Sequence, residues 1–349
     1  YGNVLYQSMI SNTNHKILTG VSIQYDDYQE VLGEEEYDRK EIVPGAFFEY
    51  TYTHLDKFTA VAGLRIDHHN LFGTFVTPRL HVRYALSDQD VLRLSAGRGQ
   101  RTANIISENS GYLSSSRQFI IEGEENNYPY GLKPEIAWNY GINFTHEFEL
   151  GYRDGIFSFD FYRTNFENQI VVDLDRNPQQ VIFYNLEGES YSNSFQGQVD
   201  YELVKRFDVR LAYRWFDVKT TYDDDLRLKP LLSRHRFFIN LAYESRKYWK
   251  VDYTMNWQGK KRIPDTYNNP EPYRLSEYSP GFPVMNLQVS KTWLEKLNVY
   301  VGVENLLNYT QKDPILASED PFGPYFDSSM AWGPIFGRNI YAGIRYSIK

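Results

Sequence analysis

The feature that most constrains this chain is a rhythm in its connectors. Segments of about ten residues, apolar at every second position, are joined alternately by very short and very long stretches. One segment sets Trp249, Val251, Tyr253, Met255 and Trp257 against Lys250, Asp252, Thr254, Asn256 and Gln258. Another sets Ile136, Trp138, Tyr140, Ile142 and Phe144 against Ala137, Asn139, Gly141, Asn143 and Thr145, and a third sets Phe207, Val209, Leu211, Tyr213 and Trp215 against Asp208, Arg210, Ala212, Arg214 and Phe216. Successive strand residues point to opposite faces, so one face of each segment suits lipid and the other water. A soluble sandwich also alternates, but its turns lack this two-size rhythm. Strands cross a membrane only as a closed barrel, because each unpaired backbone group in hydrocarbon costs several kcal/mol. The fold class is therefore all-β, an antiparallel transmembrane β-barrel.

Composition restricts the setting. The 349 residues are 42% hydrophobic and include 30 Tyr, yet no apolar run approaches the roughly 18 residues of a spanning helix. Mean hydropathy is −0.56. Tyr and Trp near strand ends suit the aromatic girdles of a barrel. A formal charge of −8 and a pI near 5.5 argue against nucleic acid as a partner. The absence of Cys removes disulfides, thiolate metal sites and cysteine nucleophiles. The sequence starts at Tyr1 without a signal peptide. Export requires one, so the expectation is a removed signal or an absent N-terminal portion.

About fifteen strands are predicted, over residues 3–10, 15–25, 42–53, 57–67, 76–86, 90–99, 134–147, 155–166, 192–204, 207–218, 234–244, 248–258, 284–293, 297–306 and 338–348. Short turns follow the odd strands, as at residues 12–14, 55–56, 87–89 and 205–206. Longer segments follow even strands, among them 26–41, 100–133, 167–191, 259–283 and 307–337. This places the loops around Glu35, Asn126, Asp224, Asn268 and Asp320 on the outer rim and Thr13, Asp56, Asp88 and Lys205 on the periplasmic one, where the chain would also end. An odd strand count conflicts with the even number of single-chain bacterial barrels, which again implies missing N-terminal strands. No linker divides the chain, so residues 1–349 read as one portion of one barrel.

Several stretches now carry a resemblance. Gly302-Val303-Glu304-Asn305-Leu306-Leu307-Asn308, a long loop, and Gly337-Arg338-Asn339-Ile340-Tyr341-Ala342-Gly343-Ile344-Arg345-Tyr346 resemble the final two strands of TonB-dependent outer-membrane receptors. Pro78-Arg79 leading through Tyr84 to Arg93-Leu94-Ser95-Ala96-Gly97, and Pro134-Glu135 leading to Trp138-Asn139-Tyr140-Gly141, look like middle-barrel stretches of that family. The resemblance implies a barrel of about 22 strands in the bacterial outer membrane, filled by an N-terminal plug and coupled to the TonB energy-coupling complex. This chain corresponds to the C-terminal fifteen strands or so, without the plug. It departs from the family at its end, where Tyr346-Ser347-Ile348-Lys349 replaces a terminal aromatic residue.

Candidate sites are diffuse. Asp67, His68 and His69 suggest metal ligands, but neighbouring strand residues face apart and do not converge without a bulge. The four Met form no cluster, and no metal or cofactor is assigned. Glu34 to Glu36 and Asp223 to Asp225 read as acidic loop tips. Arg101, Arg117, Tyr128 and Tyr130 offer charge-assisted hydrogen bonds and stacking to an anionic or aromatic ligand, with His235 at the same rim. Arg65, Arg83, Arg93, Arg210, Arg214 and Arg345 are predicted to face the lumen and meet the plug. The outward face contacts lipid and lipopolysaccharide. Three functions fit: an active importer, a passive porin-like channel, and a barrel enzyme using pairs such as Ser233 with His235 or Asp67 with His68. The importer reading leads. At about 23 residues per strand the loops are compact, which within the resembled family implies a small metal chelate, iron above all, rather than a large glycan.

Overall fold

The computed structural model describes residues 1–124 and 127–348; Asn126 and Lys349, named above, lie outside them. Fifteen strands follow one another in a single antiparallel sheet. They are β1 (Gly2–Met9), β2 (His15–Tyr28), β3 (Arg39–His54), β4 (Phe58–His69), β5 (Gly73–Ala85), β6 (Asp90–Arg101), β7 (Glu135–Glu149), β8 (Asp154–Asn168), β9 (Ser190–Val204), β10 (Phe207–Tyr222), β11 (His235–Glu244), β12 (Trp249–Gln258), β13 (Phe282–Trp293), β14 (Leu297–Glu304) and β15 (Asn339–Tyr346). A short strand, Asp225–Leu228, folds back onto the end of β10. Among the described residues β1 and β15 each have one neighbour, so both edges of the sheet are open. No helix among them is long and apolar enough to cross a membrane. The crossing is made by strands.

Register fixes the faces. Arg65 lies opposite Thr77 and Phe47, Arg83 opposite Thr59 and Arg93, and Arg210 opposite Asp200 and Asn240. Between them in phase, Leu64, Ile66, Val76, Leu80, Leu94 and Leu211 point the other way and are exposed. An exposed apolar belt alternating with a polar face is the signature of a sheet meant for lipid. The six arginines predicted to face inward share one face of the sheet, the one opposite the exposed apolar residues; Arg345 lies opposite Asn298.

The strands on the loop side run longer than the sequence reading allowed. β2 reaches Tyr28, β3 begins at Arg39 and β10 continues to Tyr222. A tilted strand crosses the bilayer in about 9–11 residues, so the 16 residues of β3 and of β10 extend beyond it as ribbons. The opposite rim is closed by tight turns. Ala85 N–H donates to the Lys57 carbonyl at 2.7 Å, Glu147 N–H to Gln89 at 2.9 Å, and Glu244 N–H to Arg206 at 2.9 Å, stitching each turn to the next. Two of these turns hold non-glycine residues in the left-handed region, Leu55 (φ 51°) and Arg206 (φ 70°).

Because the chain has no native Cys, its topology is directly testable. Single Cys replacements at Asp224 or Asp320 are expected to react with a membrane-impermeant maleimide on intact cells. Replacements at Asp56 or Lys205 are expected to react only after the outer membrane is opened. Labelling of Asp56→Cys on intact cells would break the topology.

Candidate functional site

The inner face is richest in chemistry at the loop end of β2 to β6. Register places Tyr28 opposite Arg39 and Asp26 opposite Glu41, while Asp67 lies opposite Gly45 and His69 opposite Gly73. Their side chains therefore share one face. Arg39 is its hub. Its Nε donates to Glu41 Oε1 at 2.9 Å, its Nη1 to Glu30 Oε2 at 2.6 Å and the Tyr130 hydroxyl at 3.2 Å, and its Nη2 to Asn104. The guanidinium also lies 3.9 Å from the centre of the Tyr28 ring. The other Glu41 oxygen is 3.4 Å from His69 Nε2. Arg65 forks onto both oxygens of Asp67 at 2.7 and 2.6 Å and reaches Ser22 at 2.8 Å.

Of these, Tyr28, Glu41, Arg65, Asp67 and His69 wall a cavity of about 470 Å3, shared with Gln24, Thr77, Gln100 and Arg101. Gln100 Oε1 is buried there without a hydrogen-bond donor among the described residues. The charges are nearly balanced internally, so the wall is rigid and polar rather than a simple cation trap.

Above the cavity the long loops form a connected layer. Ala103, Ile105, Tyr130, Leu132, Ile170, Leu174, Val181 and Phe183 pack into a buried apolar nucleus. A small sheet runs through it, pairing Ile170–Asp173 with Gln180–Asn185 and the latter, in parallel, with Gln118–Ile121. Ion pairs tie the loops together. Buried Arg117 donates from Nε to Asp327 Oδ2 at 2.7 Å and from Nη1 to the Gln180 carbonyl at 2.9 Å, joining three loops. Arg176 joins Glu122 and Asp223, and Arg262 joins Asp175. Burial, and then the hydrogen bond to Glu30, push the Tyr130 phenol well above its ordinary value. Tyr184 is raised by burial and the neighbouring Asp173. Both stay neutral hydrogen-bonding groups at physiological pH.

The five residues proposed for ligand contact are not brought together. Arg117 and Tyr130 are buried fasteners of the loop layer. Arg101 is half-exposed and held by Glu135 at 2.5 Å and Glu108 at 2.8 Å. Tyr128 packs against Phe72 with ring centres 5.0 Å apart. His235 lies opposite Trp215, on the outward face, and its Nδ1 is 2.7 Å from the Tyr213 hydroxyl.

The inner arginines divide into two groups. Arg65 and Arg210 have carboxylate partners, Asp67 and Asp200. Arg83 donates to the Asp56 carbonyl at 2.8 Å, and Arg93 to Asn143 Oδ1 at 2.8 Å. Arg214 and Arg345 form no hydrogen bond or ion pair among the described residues, and Arg214 lies directly opposite Arg236. The register likewise sets Arg83 against Arg93.

Of the other pairs considered, His68 bonds Thr74 Oγ1 at 3.0 Å on the outward face while His69 turns inward. Ser233 gives its hydroxyl to the carbonyls of His235 and Gly259 at 2.8 and 2.9 Å, not to a ring nitrogen. The hub residues Arg39 and Glu41 were missed by a reading that began their strand at residue 42. The signal was present, since both continue the inward phase of Val43 and Gly45.

Fold and polar inner wall define an outer-membrane β-barrel. The family described as TonB dependent receptor-like, beta-barrel, matches residues 1–306, and the chain belongs to it. It is therefore a protein of the bacterial outer membrane. The ferrienterobactin receptor of Escherichia coli (strain K12) is 24% identical over 293 residues, covering 78% of this chain and 37% of that protein. Among solved structures, the siderophore receptor PirA of Acinetobacter baumannii superposes with a TM-score of 0.71 at 14% identity, covering 99% of this chain and 54% of that one. The FrpB iron transporter of Neisseria meningitidis gives 0.65 at 15% identity, covering 99% and 54%. The chain spans 37% of the curated relative and about half of the solved ones.

Removing one partner of a buried pair leaves a charge without compensation, at a cost of about 3–5 kcal/mol. Arg117→Ala is expected to loosen the loop layer, raising amide hydrogen exchange in residues 170–185 while the strands stay protected. The double variant with Asp327→Asn should recover part of that protection. Unchanged exchange in the single variant would show that the pair does not hold the layer.

Proposed function

We propose that this chain is part of the barrel of an energy-coupled importer of a scarce metal, iron first, carried as a small anionic chelate. The observation that carries the reading is the charge pattern of the inner wall. Arg83 faces Arg93 and Arg214 faces Arg236 across adjacent strands, and like charges directly opposite destabilise a sheet. Anionic cargo and the carboxylates of a plug supply the missing counter-charge. The relatives support the cargo class through what they are named for: ferric enterobactin and siderophore reception, and iron transport.

In this reading the loop layer and the cavity beside Arg39 and Arg65 form the outer vestibule. The plug packs on the inner arginines, and the TonB complex acts through the N-terminal portion of the full protein. Partly aromatic chelates suit the tyrosine-rich loops, since phenol rings stack and donate hydrogen bonds.

The purified full-length receptor, titrated with ferric siderophores, haem, cobalamin, copper complexes and oligosaccharides, is expected to retain a ferric siderophore selectively. Retention of an oligosaccharide with no metal complex bound would overturn the cargo and leave the importer architecture standing.

A further inference from the structure

The rim made by the short turns is the periplasmic one in a barrel of this kind, and its charge is uneven. Three consecutive turns, residues 205–206 between β9 and β10, 245–248 between β11 and β12, and 294–296 between β13 and β14, carry Lys205, Arg206, Arg246, Lys247 and Lys296 against one carboxylate, Glu295. The turns joining β1 to β6 carry Lys57 against Asp56 and Asp88. Basic charge is gathered on one arc.

All five cations of the arc are exposed. None holds an ion pair or a side-chain hydrogen bond among the described residues. On the loop side, by contrast, Arg101, Arg117, Arg176, Arg227 and Arg262 close onto carboxylates. The acids nearest the arc sit in the strands on the inner face, where Glu202 meets Arg153 at 3.8 Å and Glu244 meets Lys250 at 3.0 Å. The cations stand past the last ladder pairs, Val204 with Phe207, Glu244 with Lys250 and Trp293 with Leu297, and so beyond the outward surface that meets lipid.

The turns form a continuous row. Glu244 N–H donates to the Arg206 carbonyl at 2.9 Å and Thr292 N–H to the Tyr248 carbonyl at 3.1 Å, tying each turn to the next. Neighbouring strands lie about 4.8 Å apart, so successive turns repeat about every 10 Å. A single exposed ion pair contributes little, and a small anion would be held poorly. A polymer presenting anionic groups at intervals engages all three turns at once and gains by multivalency.

The turn tips narrow the polymer's chemistry. Tyr248 and Leu294 lie among the cations in the left-handed region, at φ 59° and 49°, and Leu294 is 92% exposed. Tyr152, in the adjoining turn at φ 59°, is 97% exposed, and that turn is tied to β9 by the Tyr201 hydroxyl, which donates to the Leu150 carbonyl at 2.7 Å. Bulky residues adopt this backbone conformation uncommonly. A tyrosine ring is apolar on its face and polar at its tip, which matches the face and hydroxyl edge of a sugar ring.

We propose that this arc docks the cell wall beneath the outer membrane, a glycan whose peptide branches carry carboxylates. Lys205, Arg206, Arg246, Lys247 and Lys296 pair with the carboxylates, and Tyr152 and Tyr248 take the sugar faces. The site is independent of the cargo reading, since none of these residues lies on the loop side.

The test sediments the full-length receptor, in non-ionic detergent, with purified murein sacculi and with sacculi whose carboxylates have been converted to amides. Binding to untreated sacculi is expected to weaken as salt is raised and to be at least about tenfold tighter than to the amidated form, the scale of several exposed ion pairs together. The variant Lys205→Gln/Arg206→Gln/Arg246→Gln/Lys247→Gln should lose about the same factor while keeping its thermal unfolding. Tyr152→Ala/Tyr248→Ala should weaken binding to both forms alike. Equal binding of both forms by the unaltered receptor, or an unaffected quadruple variant, overturns the proposal. Capture of phosphatidylglycerol from mixed micelles without retention on sacculi would assign the arc to phospholipid headgroups and overturn the cell-wall partner.

Discussion

Everything in this structure depends on one requirement, that no backbone N–H or C=O in hydrocarbon be left without a partner. A consecutive antiparallel ladder meets it across the sheet's interior, and the ladder in turn fixes the direction of every side chain. Slipping one strand by a residue would exchange its faces, sending Arg210 and Arg214 into lipid and Leu211 and Tyr213 into the lumen. A cation at the bilayer midplane of a barrel costs roughly 2–4 kcal/mol. The register is therefore enforced by chemistry on both faces, and the inner arginines are a product of the same constraint that sets the outward leucines.

The loop side follows a different logic. There water is at hand, and the backbone relies on side chains for order. Its cohesion combines a modest apolar nucleus around Phe183 and Ile105 with buried ion pairs such as Arg117 with Asp327. Such pairs give little net stability over apolar substitutes, but they are expensive to break singly. Loops joined in this way have specified positions without a large core. Order on this side thus comes from paired side chains, whereas below it comes from the backbone ladder.

Much of the fold was legible. The fifteen consecutive strands, their order and the alternation that sets Trp138 and Trp257 on one face and the six arginines on the other all followed from a period of two and from connector length. The phase of β11 was equally readable: Phe237, Ile239 and Leu241 face outward, so His235 must as well. Its place beside a long connector groups it with the rim residues, whereas alternation along the strand sets it outward. The sheet inside the loops was not legible. Gln118–Ile121 is too short to show a period, and its parallel partner Gln180–Asn185 lies some sixty residues away. Arg117 was recognised as notable for its charge, but its Asp327 partner, 210 residues distant, is a fact of tertiary structure alone.

That separation bears on how the molecule is made. Asp327 lies between β14 and β15, so its bond to Arg117 forms only after the strands from β7 to β14 have been made. Contacts so far apart in sequence carry a large closure entropy and form late. Until then Arg117 remains a solvated cation and the loops an open fringe. The pair thus couples the ordering of the outer surface to the arrival of the strands that flank Asp327, so a barrel stalled before them would show a disordered face to the outside, open to proteases that a finished one resists.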